Sequence, residues 1–175
     1  MIKKLIILLL SFFDFFHQRK IIKFLSKKNL TKIDILFDVG AHKGESIGLF
    51  LKNMNVKKII SFEPSPINFL RLKNIKEHYI KKFNKTDIII ENIGLGNENK
   101  EINFKQFEES SSSTMKSIDE KSSYFKKKFN LLNFFNKKKK YQVLKVKITT
   151  LEDYMNSNNI NKISFLKIDT EGYEY

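Results

Sequence analysis

Short apolar runs alternating with segments of helical period predict an α/β domain, a parallel sheet with helices on both faces. Three observations carry that prediction. The runs at 35–39, 58–62, 87–90 and 163–168 are strand-length and largely apolar, as strands covered on both faces require. Segments with apolar residues three and four positions apart stand between them. Each run then stops at a glycine, a proline or an acidic residue, the punctuation of a strand's carboxyl end.

Residues 1–32 precede this pattern as a separate amphipathic helical segment. Met1-Ile-Lys-Lys and the apolar stretch 5–13 resemble the start of a targeting signal, but Asp14 interrupts the stretch and no small-x-small cleavage site follows. A membrane span needs about 20 apolar residues, so the stretch is too short to cross. Phe12, Phe13, Phe15, Phe16, Ile21, Ile22, Phe24 and Leu25, with Lys and Arg between them, suit one or two amphipathic helices. Such a segment either packs on the domain or lies among headgroups, with residues 1–25 touching the inner face of a membrane.

From residue 33 the elements follow in order. The strand at 35–39 ends at Gly40, a helix covers 45–54, and the strand at 58–62 closes at Glu63-Pro64. Pro66 suits the first turn of the next helix, where Phe69, Leu72, Ile75, Tyr79 and Phe83 form one buried face. A third strand at 87–90 ends in the loop 92–96. An extra strand is expected at 102–107, a polar loop at 110–114, a Lys- and Phe-rich helical or poorly ordered stretch at 120–140, and an exposed-edge strand at 141–148. Thr150 N-caps a short helix, with Asp153 at the reciprocal capping position. The buried strand at 163–168 ends at Asp169, and the core strands take the order third, second, first, fourth.

Composition narrows the function classes. The chain has 175 residues, 33 Lys+Arg against 19 Asp+Glu, a net charge of +14 and no cysteine. Disulfide, thiol and Cys-based metal chemistry are thereby excluded, and a reducing, cytoplasmic setting fits. The three histidines, at 17, 42 and 78, lack ligand spacing, so no metal site is expected. Arg19 and Arg71 are the only arginines, whereas phosphate and base readout favour the planar guanidinium. The charge therefore reads as a solvated Lys-rich surface and not as a nucleic-acid site. A basic protein that binds membrane surfaces or nucleic acid, with the glycine loop incidental, is the alternative class.

In a parallel sheet the chemistry gathers beyond the carboxyl ends of the strands. There stand Asp38-Val-Gly-Ala-His-Lys-Gly44, Glu63-Pro-Ser-Pro66, Glu91-Asn-Ile-Gly-Leu-Gly96 and Asp169-Thr-Glu-Gly-Tyr-Glu174. Gly40 and Gly44 let backbone approach a ligand, and the two oxygens of Glu63 suit both hydroxyls of a ribose. The first loop lacks both the G-x-G-x-x-G of dinucleotide binding and the G-K-[ST] of a P-loop. Asp38 repels a pyrophosphate and favours a cationic amino group or sulfonium, which selects S-adenosylmethionine over NAD or ATP. Asp38 also has a purely structural reading, as a cap on backbone amides.

Five blocks together carry a family resemblance: Phe37-Asp-Val-Gly-Ala-His-Lys-Gly-Glu-Ser46, Phe62-Glu-Pro-Ser-Pro66, the region 111–114, Ile148-Thr-Thr-Leu-Glu-Asp-Tyr154 and Leu166-Lys-Ile-Asp-Thr-Glu-Gly-Tyr-Glu174. In order and spacing, over 33–175, they resemble the FkbM-type S-adenosylmethionine-dependent methyltransferases. The resemblance implies a Rossmann-like class I methyltransferase fold and transfer of a methyl group to a hydroxyl oxygen of a sugar or other small molecule. It implies that Asp38, Gly40 and Gly44 form the cofactor loop, that Glu63 holds the ribose, and that Asn92 lies along the adenine edge. Asp169 and Glu171 then face donor and acceptor. Asp169 is either the base that takes the hydroxyl proton or the group that positions the donor's amino group. His42 is a further contact to the cofactor or only a residue of the helix start, and Glu171-Gly172 has a second reading as a turn.

The sequence departs from the family at its end, since Tyr175 follows closely on Asp169 and the C-terminal strands are missing. An incomplete domain is expected, with 163–168 as an uncovered apolar edge open to self-association. A non-catalytic remnant that binds cofactor or a partner is the second reading.

Overall fold

The structure, a computed structural model, describes residues 16, 18–107 and 141–170. The stretches expected at 1–15, 110–114 and 120–140, and Glu171, lie outside the described residues. Helix α1 (18–27) leads into β1 (Lys32–Val39), α2 (Glu45–Asn53), β2 (Asn55–Phe62), α3 (Pro66–Lys82) and β3 (Asp87–Glu91). After β4 (Gly94–Gly96), β5 (Lys100–Phe107) and β6 (Tyr141–Thr150) come α4 (Leu151–Ser157) and β7 (Phe165–Ile168).

The main sheet has the order β3-β2-β1-β7, and all of its pairings are parallel. This is the order expected from the sequence. Alternation along β1 sends Leu36 to one face and Phe37 and Val39 to the other. Leu36 packs with Ile47, Phe50 and Leu51 of α2, Leu72 of α3 and Leu25 of α1. Phe37 and Val39 pack with Phe62 and with Tyr154 of α4, whose ring stands edge-on to Phe62 at 4.8 Å. Helices therefore cover both faces, as a parallel sheet requires. Only Leu25 of α1 enters the core, and Phe24 remains exposed.

The caps follow local chemistry. Ser65 accepts a hydrogen bond from the Asn68 amide ahead of Pro66, and Thr150 accepts one from the Asp153 amide at 3.0 Å. Thr150 is the expected N-cap, but the reciprocal bond is not made: the Thr150 amide donates to Asn99 Oδ1 at 3.1 Å, and Asp153 accepts the Thr150 hydroxyl instead.

Three expectations need correction. The run 92–96 was expected as a loop, but Gly94–Gly96 forms β4 in a second sheet of order β4-β6-β5. The strand at 141–148 is consequently not an edge: β6 is central, parallel to β4 and antiparallel to β5. Its alternating pattern reflects one covered face, where Val146 and Ile148 pack with Phe104. The third correction concerns β7, where Leu166 is 41% and Ile168 49% exposed, so the run is half-covered and not buried.

Candidate functional site

Because β1, β2, β3 and β7 run parallel, their carboxyl ends open onto one side of the sheet, and the loops that follow them meet there. The loop after β1 is bent by three left-handed residues, Gly40 (φ 76°), His42 (φ 51°) and Gly44 (φ 83°). A side chain at Gly40 is excluded twice over. The positive φ disfavours it, and a Cβ would lie 1.9 Å from the Asp169 carbonyl oxygen. The Gly40 and Ala41 amides both donate to the Phe62 carbonyl at 3.0 Å, which fastens this loop to the end of β2. Gly44 then precedes the first turn of α2 as its N-cap, without a side-chain cap.

Glu63 joins the same loop from β2. It is 5% exposed, with Oε2 accepting the His42 amide at 2.8 Å and Oε1 accepting the Ser65 amide at 2.9 Å. Burial raises its pKa above the ordinary glutamate value, and the two backbone donors only partly oppose this. Asn92, just past β3, donates its side-chain amide to the carbonyls of Glu63 at 2.8 Å and Pro64 at 3.2 Å. The loop, Glu63 and Asn92, proposed together from sequence, are thus one hydrogen-bonded corner.

Asp38 belongs to a neighbouring corner. Its carboxylate is wholly buried, accepts the Ser46 hydroxyl at Oδ2, and lies 3.1 Å from Lys167 Nζ at Oδ1. Lys167 also donates to the Gly40 carbonyl at 3.0 Å and stands 3.8 Å from Asp169 Oδ2. Asp169 is held by its backbone, which donates to the Val39 carbonyl, while its side chain is 68% exposed. Asp38, expected to attract a cationic ligand, already has a cation of the chain's own beside it.

Sequence reasoning passed over Lys167 and Ser46. A lysine inside the apolar run Phe165-Leu-Lys-Ile168 was a usable signal, because a charge in a core strand requires a partner. It also missed the buried link from Ser65, whose hydroxyl donates to Gln106 of β5, and the hydrogen bond that the Tyr154 hydroxyl donates to Glu91 at 2.8 Å. Among the described residues no cluster of three or more metal-ligating side chains occurs, and no helix is long and apolar enough to cross a membrane.

Comparison with known proteins gives a family. The profile of the methyltransferase FkbM domain matches residues 38–175. A crystal structure of methyltransferase FkbM from Methylobacillus flagellatus KT aligns with 81% of this chain at 17% identity and a TM-score of 0.48. The chain spans 27% of that protein's length. No curated protein matches the sequence.

Proposed function

The chain belongs to the FkbM methyltransferase family, and on that premise we propose that it binds S-adenosylmethionine at the ends of β1–β3 for methylation of a hydroxyl, on a sugar or another small molecule. The observation that carries this reading is the Glu63 corner. A carboxylate has about four acceptor positions; the oxygens of Glu63 receive one backbone donor each, at 2.8 and 2.9 Å, and the Asn68 side chain is a further partner. Acceptor capacity suited to paired ribose hydroxyls remains. The acceptor set of the corner fits the sugar of a nucleoside.

The bound cofactor would supply a methyl group made electrophilic by its sulfonium. The chain's own residues have three tasks. Gly40 and Gly44 keep the loop free of side chains where it turns into α2. Glu63 accepts the ribose hydroxyls, and Asn92, by fixing the Glu63 and Pro64 carbonyls, sets the adenine edge. The exposed Asp169 carboxylate, with Glu171 following it, takes the proton from the acceptor hydroxyl as the new O–CH₃ bond forms. We place the reaction in the cytoplasm, a reducing setting that a chain without cysteine fits, with residues 1–25 available to a membrane surface.

Calorimetric titration of the chain with S-adenosylhomocysteine tests the reading. Saturable micromolar binding is expected, weakened by about 2 kcal/mol in Glu63→Ala through loss of charge-assisted hydrogen bonds. Equal binding by the folded variant would remove Glu63 from the ribose site. No binding by the folded parent chain would overturn the cofactor assignment.

A further inference from the structure

Asp38 and Lys167 are register partners across β1 and β7, so their side chains stand on the same face of neighbouring strands. The lysine is what makes the buried Asp38 carboxylate tolerable. Apart from the ion pair at 3.1 Å, Asp38 Oδ1 has no hydrogen-bond partner among the described residues. A carboxylate removed from water in this way needs a counter-charge or a proton. The same ammonium reaches the Gly40 carbonyl and faces Asp169, so one cation touches the end of β1, the glycine loop and the end of β7. Ser46, on the other oxygen of Asp38, extends the junction to α2.

We infer that Lys167 is a positioning residue. Its ammonium is the counter-charge to the buried Asp38 carboxylate and clamps the Gly40 carbonyl, which sets the glycine loop and Asp169 in register with each other. This rests on the reading of residues 38–44 as the cofactor loop. Lys167 touches neither cofactor nor acceptor in this role.

The test compares the parent chain, Lys167→Met, Lys167→Arg and the double variant Asp38→Asn/Lys167→Met. Two quantities are read against pH, S-adenosylhomocysteine affinity and the midpoint of thermal unfolding. In Lys167→Met the affinity should fall between about ten- and a hundredfold at neutral pH, the scale on which a misplaced binding group is felt. The midpoint should drop by roughly 10 °C, as expected for a buried charge stripped of its partner. Relative to the parent, both deficits should shrink as the pH falls, because a buried carboxylate stripped of its cation can take up a proton instead. The other ionisable groups around this junction are His42 of the loop, Glu45 of α2, Glu63 just past β2 and Asp169 just past β7; the double variant controls for them, Asp169 included, which also faces the Lys167 ammonium. The double variant should lack the additional pH dependence and regain most of the midpoint, and Lys167→Arg should stay near the parent in both.

Parent-like affinity and pH profile in Lys167→Met would overturn the inference while leaving the cofactor reading intact. A loss that is pH-independent and undiminished in the double variant would also overturn it, since it would reflect packing of the lysine stem. If the parent chain fails to bind, the cofactor reading falls and the positioning role falls with it. The pH profile of unfolding then still decides whether Lys167 is the counter-charge.

Discussion

At the end of β1 a buried carboxylate meets a cation, and at the end of β2 a buried carboxylate meets two backbone amides. Asp38 has Lys167 and Ser46, so its charge is balanced within the sheet. Glu63 has the His42 and Ser65 amides, which orient it while burial keeps its pKa raised. Two acidic residues that look equivalent as strand-end motifs therefore do different work. A carboxylate balanced by an internal cation serves the architecture. One held mainly by backbone amides, with burial still raising its pKa, keeps a demand for further hydrogen bonds, which in the proposed reading a ligand hydroxyl meets.

The difference is broken most severely at Gly40, where the two corners share a residue. Gly40→Ala forces a left-handed φ on a residue with a Cβ and drives that carbon into the Asp169 carbonyl. We expect a loss of at least about 3 kcal/mol of stability in chemical denaturation. Gly44→Ala is the internal control. It has the same backbone strain, but its Cβ would meet side-chain atoms and no backbone, Leu72 Cδ1 at 3.0 Å, Ile75 Cγ2 at 3.4 Å and Ile47 Cδ1 at 3.6 Å, so a loss of about 1–2 kcal/mol is expected. Equal losses at the two glycines would show that the contact between the loop and β7 does not hold the Asp38 corner.

A milder change sharpens the comparison on the Glu63 side. Burial raises the folded-state pKa of Glu63, so the protonated form is favoured by folding. The associated stability is fully present below the ordinary glutamate value of 4.5 and is lost as pH rises through the raised folded value. Ligand affinity runs the other way, because the ionised form is the better acceptor, and it should climb through that window. Glu63→Gln should remove both slopes and lower neutral-pH stability by about 1–2 kcal/mol, because its amide nitrogen cannot accept from one of the His42 and Ser65 amides. Parallel titrations of unfolding and of S-adenosylhomocysteine binding would check this, and slopes unchanged from the parent would assign them to another group.

The order of the main sheet was legible because each of its strands is an apolar run with a clear stop, as at Gly40 and at Glu63-Pro64. The second sheet was not. Gly94–Gly96 is three residues with two glycines, a segment with no period of its own, and it pairs only because β6 lies beside it. Without β4, β6 has a free side, and its alternation is that of an edge strand. The Glu63 corner was visible as a strand-end acid following a glycine loop. The Asp38 corner was half visible, because Lys167 is one lysine in a Lys-rich chain and its importance comes from its register opposite a buried acid. Pattern reveals which elements exist, whereas pairing between distant strands decides which charges meet.

The smallest expected effect concerns a third strand-end acid, Glu91 of β3, which accepts the Tyr154 hydroxyl at 2.8 Å. Here the partner is neither a cation nor a backbone amide but a phenol. Burial, and then the hydrogen bond to Glu91, push the Tyr154 pKa well above that of an ordinary tyrosine. The hydroxyl therefore remains a protonated donor throughout the range in which Glu63 titrates. Tyr154→Phe keeps the edge-on contacts with Phe37 and Phe62 and deletes one hydrogen bond. The loss should be about 1 kcal/mol and the same at every pH where the parent chain is folded. A loss that varied with pH would mean that an ionisable neighbour is coupled to this hydrogen bond, and Glu63, whose amide donates to the Glu91 carbonyl, is the first to test. A flat loss would leave three carboxylates at three strand ends, each balanced by a different kind of donor. Glu63 would then be the one whose charge is least compensated from within the chain.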